Sequence, residues 1–385
     1  MKAVIAIDSL KGSLTSLEAG AAIAEGIKRV YPDAETVIRP LADGGEGTVD
    51  ALVSGMNGTI QEIDVNDPLG RPVTAKYGII DSTNTAIIEM SAAAGITLVA
   101  DNERNPLNTT TYGVGEMIKD AINKGCREFI IGIGGSATND GGIGMLQALG
   151  FGMLDKDGNQ VSFGAKGLKE LETITDTDII SALSECHFHI ACDVTNPLCG
   201  DNGCSAVYGP QKGAISEMIA EMDKWLSDYA SLTKKIRPNA DPEYPGTGAA
   251  GGMGFAFLSY LNASIEPGVD LILNATHFED CIKDADIVIT GEGRLDSQTA
   301  MGKAPIGVAK LAKKYDIPVI AFAGSVTKDA EECNRHGIDA FFPIIRSICT
   351  LDEAMNPDNA RSNMADTAEQ VFRVMKVSET VTVRL

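Results

Sequence analysis

The sequence predicts an α/β protein built from two α/β domains. Apolar strand-like runs alternate with helix-like segments at both ends of the chain, a pattern typical of βαβ units and a mostly parallel sheet. The chain has 385 residues, which exceeds the usual size of a single hydrophobic core. Because the middle of the chain follows a different pattern, we predict a Rossmann-like domain formed by residues 1–55 and 283–385 and an inserted α/β domain over residues 56–282. We predict that the active site lies in the cleft between these two domains.

The N-terminal elements carry distinct local signals. Residues 4–7 are a short apolar run that predicts a buried strand. A helix is predicted over residues 15–30, because Thr15 and Glu18 have capping-box spacing and apolar side chains recur on one face. A second strand is predicted over residues 35–40.

The same criteria predict the remaining elements. In the middle of the chain these are a hairpin over residues 60–90 with its turn at 67–70, strands over 128–133 and 187–194, and helices over 114–123, after 142 and over 214–232. At the end of the chain they are strands over 285–290, 318–323 and 340–344 and helices over 304–315 and 361–376.

Charge and composition narrow the class of protein. Acidic residues outnumber basic ones by 53 to 32, and a net charge of -21 repels polyanions, so neither nucleic acid nor an anionic membrane surface is an expected partner. The N-terminal apolar run is interpreted as a strand rather than a secretory signal, and no apolar stretch is long enough to span a bilayer. The eight cysteines include no C-x-x-C pair. These features favour a cytoplasmic protein with reduced thiols.

Glycine is the most informative residue type in this chain. There are 41 glycines, where average usage predicts roughly 27, and they cluster near the ends of predicted strands. The first cluster spans residues 41–48 and contains the carboxylates of Asp43 and Glu46. Carboxylates within a glycine loop suit a metal ion or a hydroxyl group, although a tight turn with solvated acids explains them equally well.

The second cluster, residues 132–142, leaves a predicted strand and opens a helix. A glycine loop at a helix N-terminus binds phosphate through its free N–H groups and the helix dipole. The candidate ligands of the phosphate are the backbone and side chains of Gly134, Gly135, Ser136, Thr138 and Asn139. The segment also fits a loose dinucleotide-binding pattern, but the acidic residue that should follow for the ribose is not evident.

Two further segments bring charged residues to predicted strand ends. In the third, Asp193 follows a strand and is a candidate base, metal ligand or turn former; Asn196, Gln211 and Lys212 come after it. A cation such as Lys212 just before a helix is unfavourable unless an anion also lies there, which indicates a bound anion.

The fourth cluster, residues 291–303, follows an apolar strand. It contains Glu292, Arg294, Asp296 and Lys303, a dense set of charges for a structural loop. Its ending resembles a phosphate-binding P-loop, but the glycine and the final Ser or Thr that this motif requires are missing.

Near the N-terminus, Lys11 and Ser13 fill the gap between the first strand and the first helix. They are candidates to hold a carboxylate or phosphate at the start of that helix. Phosphoryl transfer needs a phosphate cradle, a cation, carboxylates for magnesium and a group that orients the attacking hydroxyl. The chain supplies all four without a standard kinase signature.

These motifs, taken together, resemble one family. The segments over residues 8–13, 40–47, 132–142, 193–198, 210–213 and 291–303 are similar, in content and order, to motifs of the bacterial type I glycerate kinases. The resemblance runs from the first strand to beyond residue 320. It implies one flavodoxin-like domain and one domain similar to a restriction-endonuclease core, with ATP and Mg²⁺ as co-substrate and cofactor and (R)-glycerate as acceptor. The oligomeric state stays open.

The roles of individual residues are hypotheses based on their chemistry. Asp193 or Asp296 orients and deprotonates the hydroxyl group, and Asp43 and Glu292 help to hold Mg²⁺. Lys11, Arg294 or Lys212 binds the carboxylate or the transferring phosphate, and the loop from Gly134 to Asp140 cradles phosphate. The other predicted contacts of substrate or phosphate are Ser13, Asn196, Gln211 and Lys303.

Three alternatives compete with phosphorylation of the 2-hydroxyl. The first is a 3-kinase that gives 3-phosphoglycerate, and the second is a nicotinamide-dependent hydroxy-acid dehydrogenase, suggested by the loose glycine pattern alone. The third is a hydroxy-acid sensor without catalysis. Because a passive anion binder gains nothing from carboxylates in its glycine loops, the sequence favours the kinase over the sensor.

Overall fold

A computed structural model describes residues 1–45 and 47–382, so Glu46 of the first glycine cluster lies outside the described residues. Within this part of the chain the strands, numbered in chain order, are β1 (Lys2–Ile5), β2 (Glu35–Ile38), β3 (Gly58–Asn66), β4 (Pro72–Ile80), β5 (Thr85–Glu89), β6 (Glu128–Gly132), β7 (Gly152–Leu154), β8 (Thr173–Thr175), β9 (His187–Ala191), β10 (Ala263–Glu266), β11 (Ile287–Leu295), β12 (Val319–Val326) and β13 (Ala340–Pro343).

The α-helices of the same residues are α1 (Ser16–Val30), α2 (Thr48–Gly55), α3 (Ser91–Ala94), α4 (Tyr112–Asn123), α5 (Ile143–Ala148), α6 (Ala165–Glu170), α7 (Cys204–Tyr208), α8 (Ser216–Ile236), α9 (Ala249–Tyr260), α10 (Gly268–Ala275), α11 (Phe278–Ile282), α12 (Ser297–Ala300), α13 (Ala304–Lys313), α14 (Glu332–Arg335), α15 (Leu351–Met355) and α16 (Pro357–Thr382). None of these described helices combines the length and apolar character needed to cross a membrane.

The chain divides into two compact units. The first unit contains residues 1–43, 54–56 and those from 269 onward, and the second contains residues 44–53 and 57–268. Residues 269–282 cluster with the first unit, whereas the sequence placed them in the inserted domain. The predicted cleft between the domains stays a prediction.

The first unit is built on a five-stranded parallel sheet with the order β13-β12-β11-β1-β2. Counted within this unit the order is 2-1-3-4-5, the doubly wound arrangement of flavodoxin-like proteins. Alternate side chains pack into two separate cores, as Ile5 and Ile289 do on one face and Val4 and Val288 on the other. The flavodoxin-like topology that the resemblance implied is therefore confirmed.

Helix α1 begins as the sequence predicts. Thr15 is its N-cap, the Thr15 hydroxyl accepts the N–H of Glu18 at 3.2 Å, and the Glu18 carboxylate accepts the N–H of Thr15 at 2.9 Å. This capping box fixes where the β1–α1 loop ends. The loop itself, residues 6–15, therefore lies at the carboxyl end of β1.

The prediction for the segment after the strand at 285–290 is wrong. Residues 291–295 do not leave the sheet as a loop but continue β11, where Glu292 pairs with Ala323 and Arg294 with Ser325 of β12. Gly291 permits this close pairing, because a Cβ atom there would lie 1.8 Å from the carbonyl oxygen of Phe322. Side chains at 292 and 294 are consequently presented from a strand, which positions them more rigidly than a loop would.

The second unit contains a six-stranded mixed sheet with the order β10-β9-β6-β5-β4-β3. Strands β10, β9, β6 and β5 are parallel, and β5, β4 and β3 are joined by antiparallel pairing. The predicted hairpin is present as β3 and β4, and the Asp67 carboxylate holds its turn by accepting the N–H groups of Leu69 and Arg71. The loops after the adjacent strands β6 and β9 share one edge of this sheet.

Candidate active site

A cavity of about 420 Å³ lies in the first unit, and we call it the acidic cavity. It occupies the carboxyl ends of β1, β11 and β12 of the parallel sheet. The connections from β1 and β11 run to opposite sides of the sheet, so this edge is the topological switch point at which such folds bind ligands. Seven predicted site residues line the cavity: Lys11, Ser13, Asp43, Glu292, Arg294, Asp296 and Lys303.

Asp8 also lines this cavity, and the sequence analysis did not assign it a role. It lies three residues after the end of β1 and is 7% exposed, and its carboxylate accepts the N–H of Ser9 at 2.7 Å. Burial, followed by the nearby charges of Asp43 and Glu292, raises the pKa of Asp8 to about 7. Its position immediately after an apolar strand was the signal that would have identified it.

Glu292 is held in the cavity wall by two partners. The Thr299 hydroxyl donates a hydrogen bond to its carboxylate at 2.6 Å, and the Lys303 ammonium lies 3.8 Å from the other carboxylate oxygen. Burial raises the pKa of Glu292 despite these contacts. Lys303 itself is the N-cap residue of the ten-residue helix α13.

Lys11 and Asp43 form a looser pair at the same cavity. The Lys11 ammonium lies 4.0 Å from the Asp43 carboxylate, and 63% of the Lys11 side chain is exposed. Ser13 differs from both, because its hydroxyl is buried and has no hydrogen-bond partner among the described residues. A buried hydroxyl of this kind requires a partner, which a ligand or water in the cavity would supply.

Asp296 has a structural role that the sequence did not predict. It is the N-cap of α12, and one of its carboxylate oxygens accepts the N–H groups of Gln298 at 2.9 Å and Thr299 at 3.3 Å. Its other oxygen lies 3.6 Å from the Arg294 guanidinium. Both carboxylate oxygens of Asp296 are therefore engaged by neighbouring groups of the protein.

The carboxylates of the acidic cavity fit a magnesium ion shared with a phosphate. No group of three or more Asp, Glu, His or Cys side chains in residues 1–45 and 47–382 is arranged to hold a metal ion by itself. Mg²⁺ is usually bound by one or two carboxylates together with substrate phosphates and water. The repulsion that Asp43 and Glu292 exert on buried Asp8 is the kind of strain that a cation relieves.

The second unit holds the other nine predicted residues. Five of them lie in the loop after β6, residues 133–142, which we call the glycine loop. Gly134 and Gly135 are exposed at its tip, whereas Ser136, Thr138 and Asn139 are buried. The loop is anchored by backbone hydrogen bonds from Ala137 to Ala94 and from Ile96 to Gly135.

Lys212 lies inside the protein, under the glycine loop. It is 2% exposed, and its ammonium donates hydrogen bonds to the Ser136 hydroxyl at 2.8 Å and the Thr138 carbonyl at 2.6 Å. Burial lowers the pKa of Lys212 to about 8. The geometry therefore gives Lys212 the position of a residue that holds the loop, rather than one that projects toward a ligand.

The N-terminus of α5 differs from the anion site that the sequence predicted. The Asp140 carboxylate is fully buried and accepts the N–H groups of Gly142 at 3.1 Å and Gly144 at 3.4 Å. It also accepts the N–H and hydroxyl of Thr111, both at 2.9 Å. Because an internal carboxylate already occupies the positive end of this six-residue helix, an external phosphate has access only to the tip of the loop.

The remaining predicted residues follow β9. The Asp193 side chain is exposed and accepts the N–H of Gly268, the first residue of α10, at 2.9 Å. The Asn196 amide accepts the Tyr208 hydroxyl at 2.6 Å and donates to the carbonyl of Asn202 at 2.8 Å, which gives it a role within its own loop. Gln211 is exposed in a short 3₁₀ helix.

Comparison with known proteins identifies the family of the chain. The profile of the Glycerate kinase family matches residues 3–376. The chain is 47% identical to Glycerate kinase of Bacillus subtilis, with 99% of each chain covered, and 49% identical to Glycerate 2-kinase of Escherichia coli, with 92% of this chain and 93% of the relative covered.

A solved structure extends the likeness to three dimensions. The crystal structure of a protein assigned as glycerate kinase 2, from Salmonella typhimurium LT2, is 48% identical and superimposes with a TM-score of 0.92 over 99% of each chain. Family profile, sequence identity and fold agree over nearly the whole length. The chain therefore belongs to the glycerate kinase family.

Proposed function

We propose that the protein transfers the γ-phosphoryl group of ATP to the 2-hydroxyl of (R)-glycerate and so forms 2-phosphoglycerate and ADP. Membership of a kinase family makes it a phosphotransferase, with ATP as the co-substrate. The observation that carries the choice of hydroxyl is its 49% identity, over 354 residues, to a relative named Glycerate 2-kinase. Membership of a kinase family argues against the alternatives of a dehydrogenase and a sensor.

In this proposal the acidic cavity binds the polyphosphate of the nucleotide. Asp43 and Glu292, with Asp8 beside them, hold Mg²⁺, which neutralises charge on the phosphates when it is bound. Lys11 and Arg294 are 63% and 64% exposed and are able to reach phosphate oxygens. Lys303 at the start of α13 adds a third cation beside the positive end of a helix, where an anion offsets their mutual repulsion.

The glycine loop is proposed to bind the anionic end of the acceptor or the transferring phosphate. The exposed backbone of Gly134 and Gly135 is the part that a ligand is able to approach closely. Lys212 positions this tip from below through Ser136 and Thr138, so we assign it a positioning role instead of direct contact. Asn139 contributes to the same support by donating to the Ser205 hydroxyl at 2.9 Å.

Asp193 is the proposed base, and Asp296 is the alternative. Asp296 accepts two amide N–H groups and lies beside Arg294, so both of its carboxylate oxygens are already engaged by the protein. Asp193 is exposed after a parallel strand, in the position where such folds place reacting groups. In a loose phosphoryl-transfer transition state its task is to orient the hydroxyl and accept its proton as the O–P bond forms and the bond to ADP breaks.

A cytoplasmic location completes the proposal. All eight cysteines are free thiols in the structure, and a net charge of -21 suits a protein that stays away from anionic surfaces. Reduced thiols in this number are typical of proteins in the cytoplasm.

Phosphorus NMR tests the reaction directly. Purified protein is incubated with Mg-ATP and (R)-glycerate, with a second sample containing excess EDTA as the control. We expect ADP and a new phosphomonoester signal coupled to one proton, because C2 of glycerate carries a single hydrogen. A signal coupled to two protons would identify a 3-kinase instead. Intact ATP with no new ester would refute glycerate as the acceptor.

A further inference from the structure

The acidic cavity has a second half that phosphate chemistry does not explain. On the side of β13 and α15 it is lined by aliphatic side chains: Ile344, Ile345, Leu351, Ala354 and Met355. Leu351 is 75% exposed and Ile345 is 39% exposed, so this side of the cavity presents contiguous apolar surface that a ligand could cover. Charged and aliphatic walls thus face the same space of about 420 Å³.

We propose that this aliphatic wall binds the purine base of the nucleotide, while the phosphates extend toward Lys11 and Lys303 in the charged half. The inference rests on the proposed function, because it assumes that a nucleotide is the phosphoryl donor. It adds the location of the base and assigns Leu351, Ala354 and Met355 to base binding.

Size and polarity favour a nucleotide over the acceptor in this cavity. Pockets for ligands of nucleotide size have volumes of about 300–1,000 Å³, within which this cavity falls. Glycerate has three carbons and is polar at every one of them, so it would leave both the volume and the aliphatic wall unused. A purine is flat and largely apolar on its faces, and burying it against aliphatic side chains removes apolar surface of both partners from water.

Packing joins the aliphatic wall to the charged half. The Met355 side chain of α15 lies against the β1–α1 loop, since a Cβ atom on Gly12 would be 2.8 Å from the terminal methyl group of Met355. Lys11 and Ser13 flank that glycine. A ligand on the wall is therefore within one nucleotide length of the cations, and Asn363 of α16, which also lines the cavity, offers an amide to the polar edge of the base.

Binding measurements on two variants test the assignment. Leu351→Ala removes aliphatic surface from the wall, and Ala354→Phe fills the space in front of it. Val374→Ala is the matched control, since Val374 is 71% exposed and lies on α16 away from the lining of the cavity. Affinities for ADP and for inorganic tripolyphosphate are measured by calorimetry with Mg²⁺ present, and thermal unfolding verifies that each variant is folded.

We expect Leu351→Ala to weaken ADP binding about tenfold and Ala354→Phe to weaken it more, with tripolyphosphate binding unchanged in both. Val374→Ala should match the wild type with both ligands. Unchanged ADP affinity in the two wall variants would overturn the inference, and so would an equal loss of tripolyphosphate binding. The variants could show these losses of ADP affinity while the wild-type protein fails to phosphorylate glycerate in the NMR assay. That result would refute the proposed function but would still support the site for the base.

Discussion

The acidic cavity and the glycine loop place their charged residues in different surroundings. In the first unit, Asp8 and Glu292 line a cavity beside the carboxylate of Asp43, so like charges face the same open space. In the second unit, Asp140 and Lys212 are buried beneath a loop and satisfied by internal partners. Burial shifts the pKa toward the neutral form in both regions, so the difference lies in the surroundings. Like charges that face a cavity indicate a site completed by a ligand, whereas charges enclosed by internal partners indicate residues that keep a backbone in shape.

The largest expected effect concerns stability in the glycine loop. Asp140→Ala should lower the free energy of unfolding by about 5 kcal/mol, because it leaves the N–H groups of Gly142 and Thr111 and the Thr111 hydroxyl buried without an acceptor. Urea denaturation measures this. Asp155 is the matched control, since its carboxylate also accepts two backbone N–H groups, of Asp157 and Asn159, but on an exposed turn.

Asp155→Ala should produce a much smaller loss than Asp140→Ala, because water replaces the missing acceptor on an exposed turn. Equal losses at the two positions would contradict the view that burial makes Asp140 a structural carboxylate. In that case the burial of charged residues would no longer distinguish the structural role of the glycine loop from the ligand-binding role of the acidic cavity.

In the acidic cavity the same type of change should stabilise the protein. Burial raises the pKa of Asp8 from 3.8 to about 7. Below pH 3.8 the carboxyl group is protonated in both the folded and the unfolded chain, so it does not change the free energy of unfolding. As the pH rises to 7, the unfolded chain loses this proton and the folded chain keeps it, which lowers the free energy of unfolding by about 4 kcal/mol in total. Above pH 7 the loss is constant.

Asp8→Asn should remove this loss and still accept the N–H of Ser9. We expect it to raise the free energy of unfolding by about 4 kcal/mol at pH 8 and by about 1.5 kcal/mol at pH 5, measured by urea denaturation with EDTA present. Asp201→Asn, at an exposed carboxylate, is the control and should show no such pH dependence. A gain that does not grow between pH 5 and pH 8 would argue against a strained carboxyl group at this position.

These two regions also show how far the sequence predicts the molecule. The alternating strands and helices, the capping box at Thr15 and the hairpin turn at Asp67 depend on neighbouring residues, and all three are confirmed. The continuation of β11 through Glu292 and Arg294 was missed because it is decided by pairing with β12, and glycines in the segment gave it the appearance of a loop.

The candidate site was predictable in its residue types but not in their roles. Lys212 and Asp296 are charged residues near strand ends and helix starts, which is where ligand-binding residues also occur. Only in the folded chain does the Lys212 ammonium donate a hydrogen bond to Ser136. Likewise, only there does the Asp296 carboxylate accept hydrogen bonds from two backbone N–H groups of α12. Asp8 shows the converse, since its pKa is raised by burial and then by carboxylates from distant parts of the chain, neither of which the sequence reveals.

The next largest effect is the loss of activity that we expect when Asp193 is replaced. Asp193→Asn should lower kcat by at least about 100-fold, because an amide does not accept the proton of the hydroxyl group. The amide oxygen still accepts the N–H of Gly268, so thermal unfolding should change little. Asp296→Asn retains the cap of α12 in the same way, and we expect it to lower kcat by no more than about tenfold. A larger loss for Asp296→Asn than for Asp193→Asn would exchange the roles of the two carboxylates.

The smallest effect is expected at the tip of the glycine loop. A Cβ atom on Gly134 meets nothing within 4 Å, so Gly134→Ala should change the free energy of unfolding by less than about 0.5 kcal/mol. Gly142→Ala should lower the free energy of unfolding by about 2–3 kcal/mol, because that residue has φ of 76° and its Cβ atom would lie 2.6 Å from that of Ala256.

If the tip of the glycine loop binds ligand through its backbone, the added methyl group of Gly134→Ala obstructs that binding. Steady-state kinetics should then show KM for one substrate raised about fivefold, with the free energy of unfolding unchanged. Unchanged KM values for ATP and glycerate would exclude the tip from the site and leave the acidic cavity as the region that alone binds substrate.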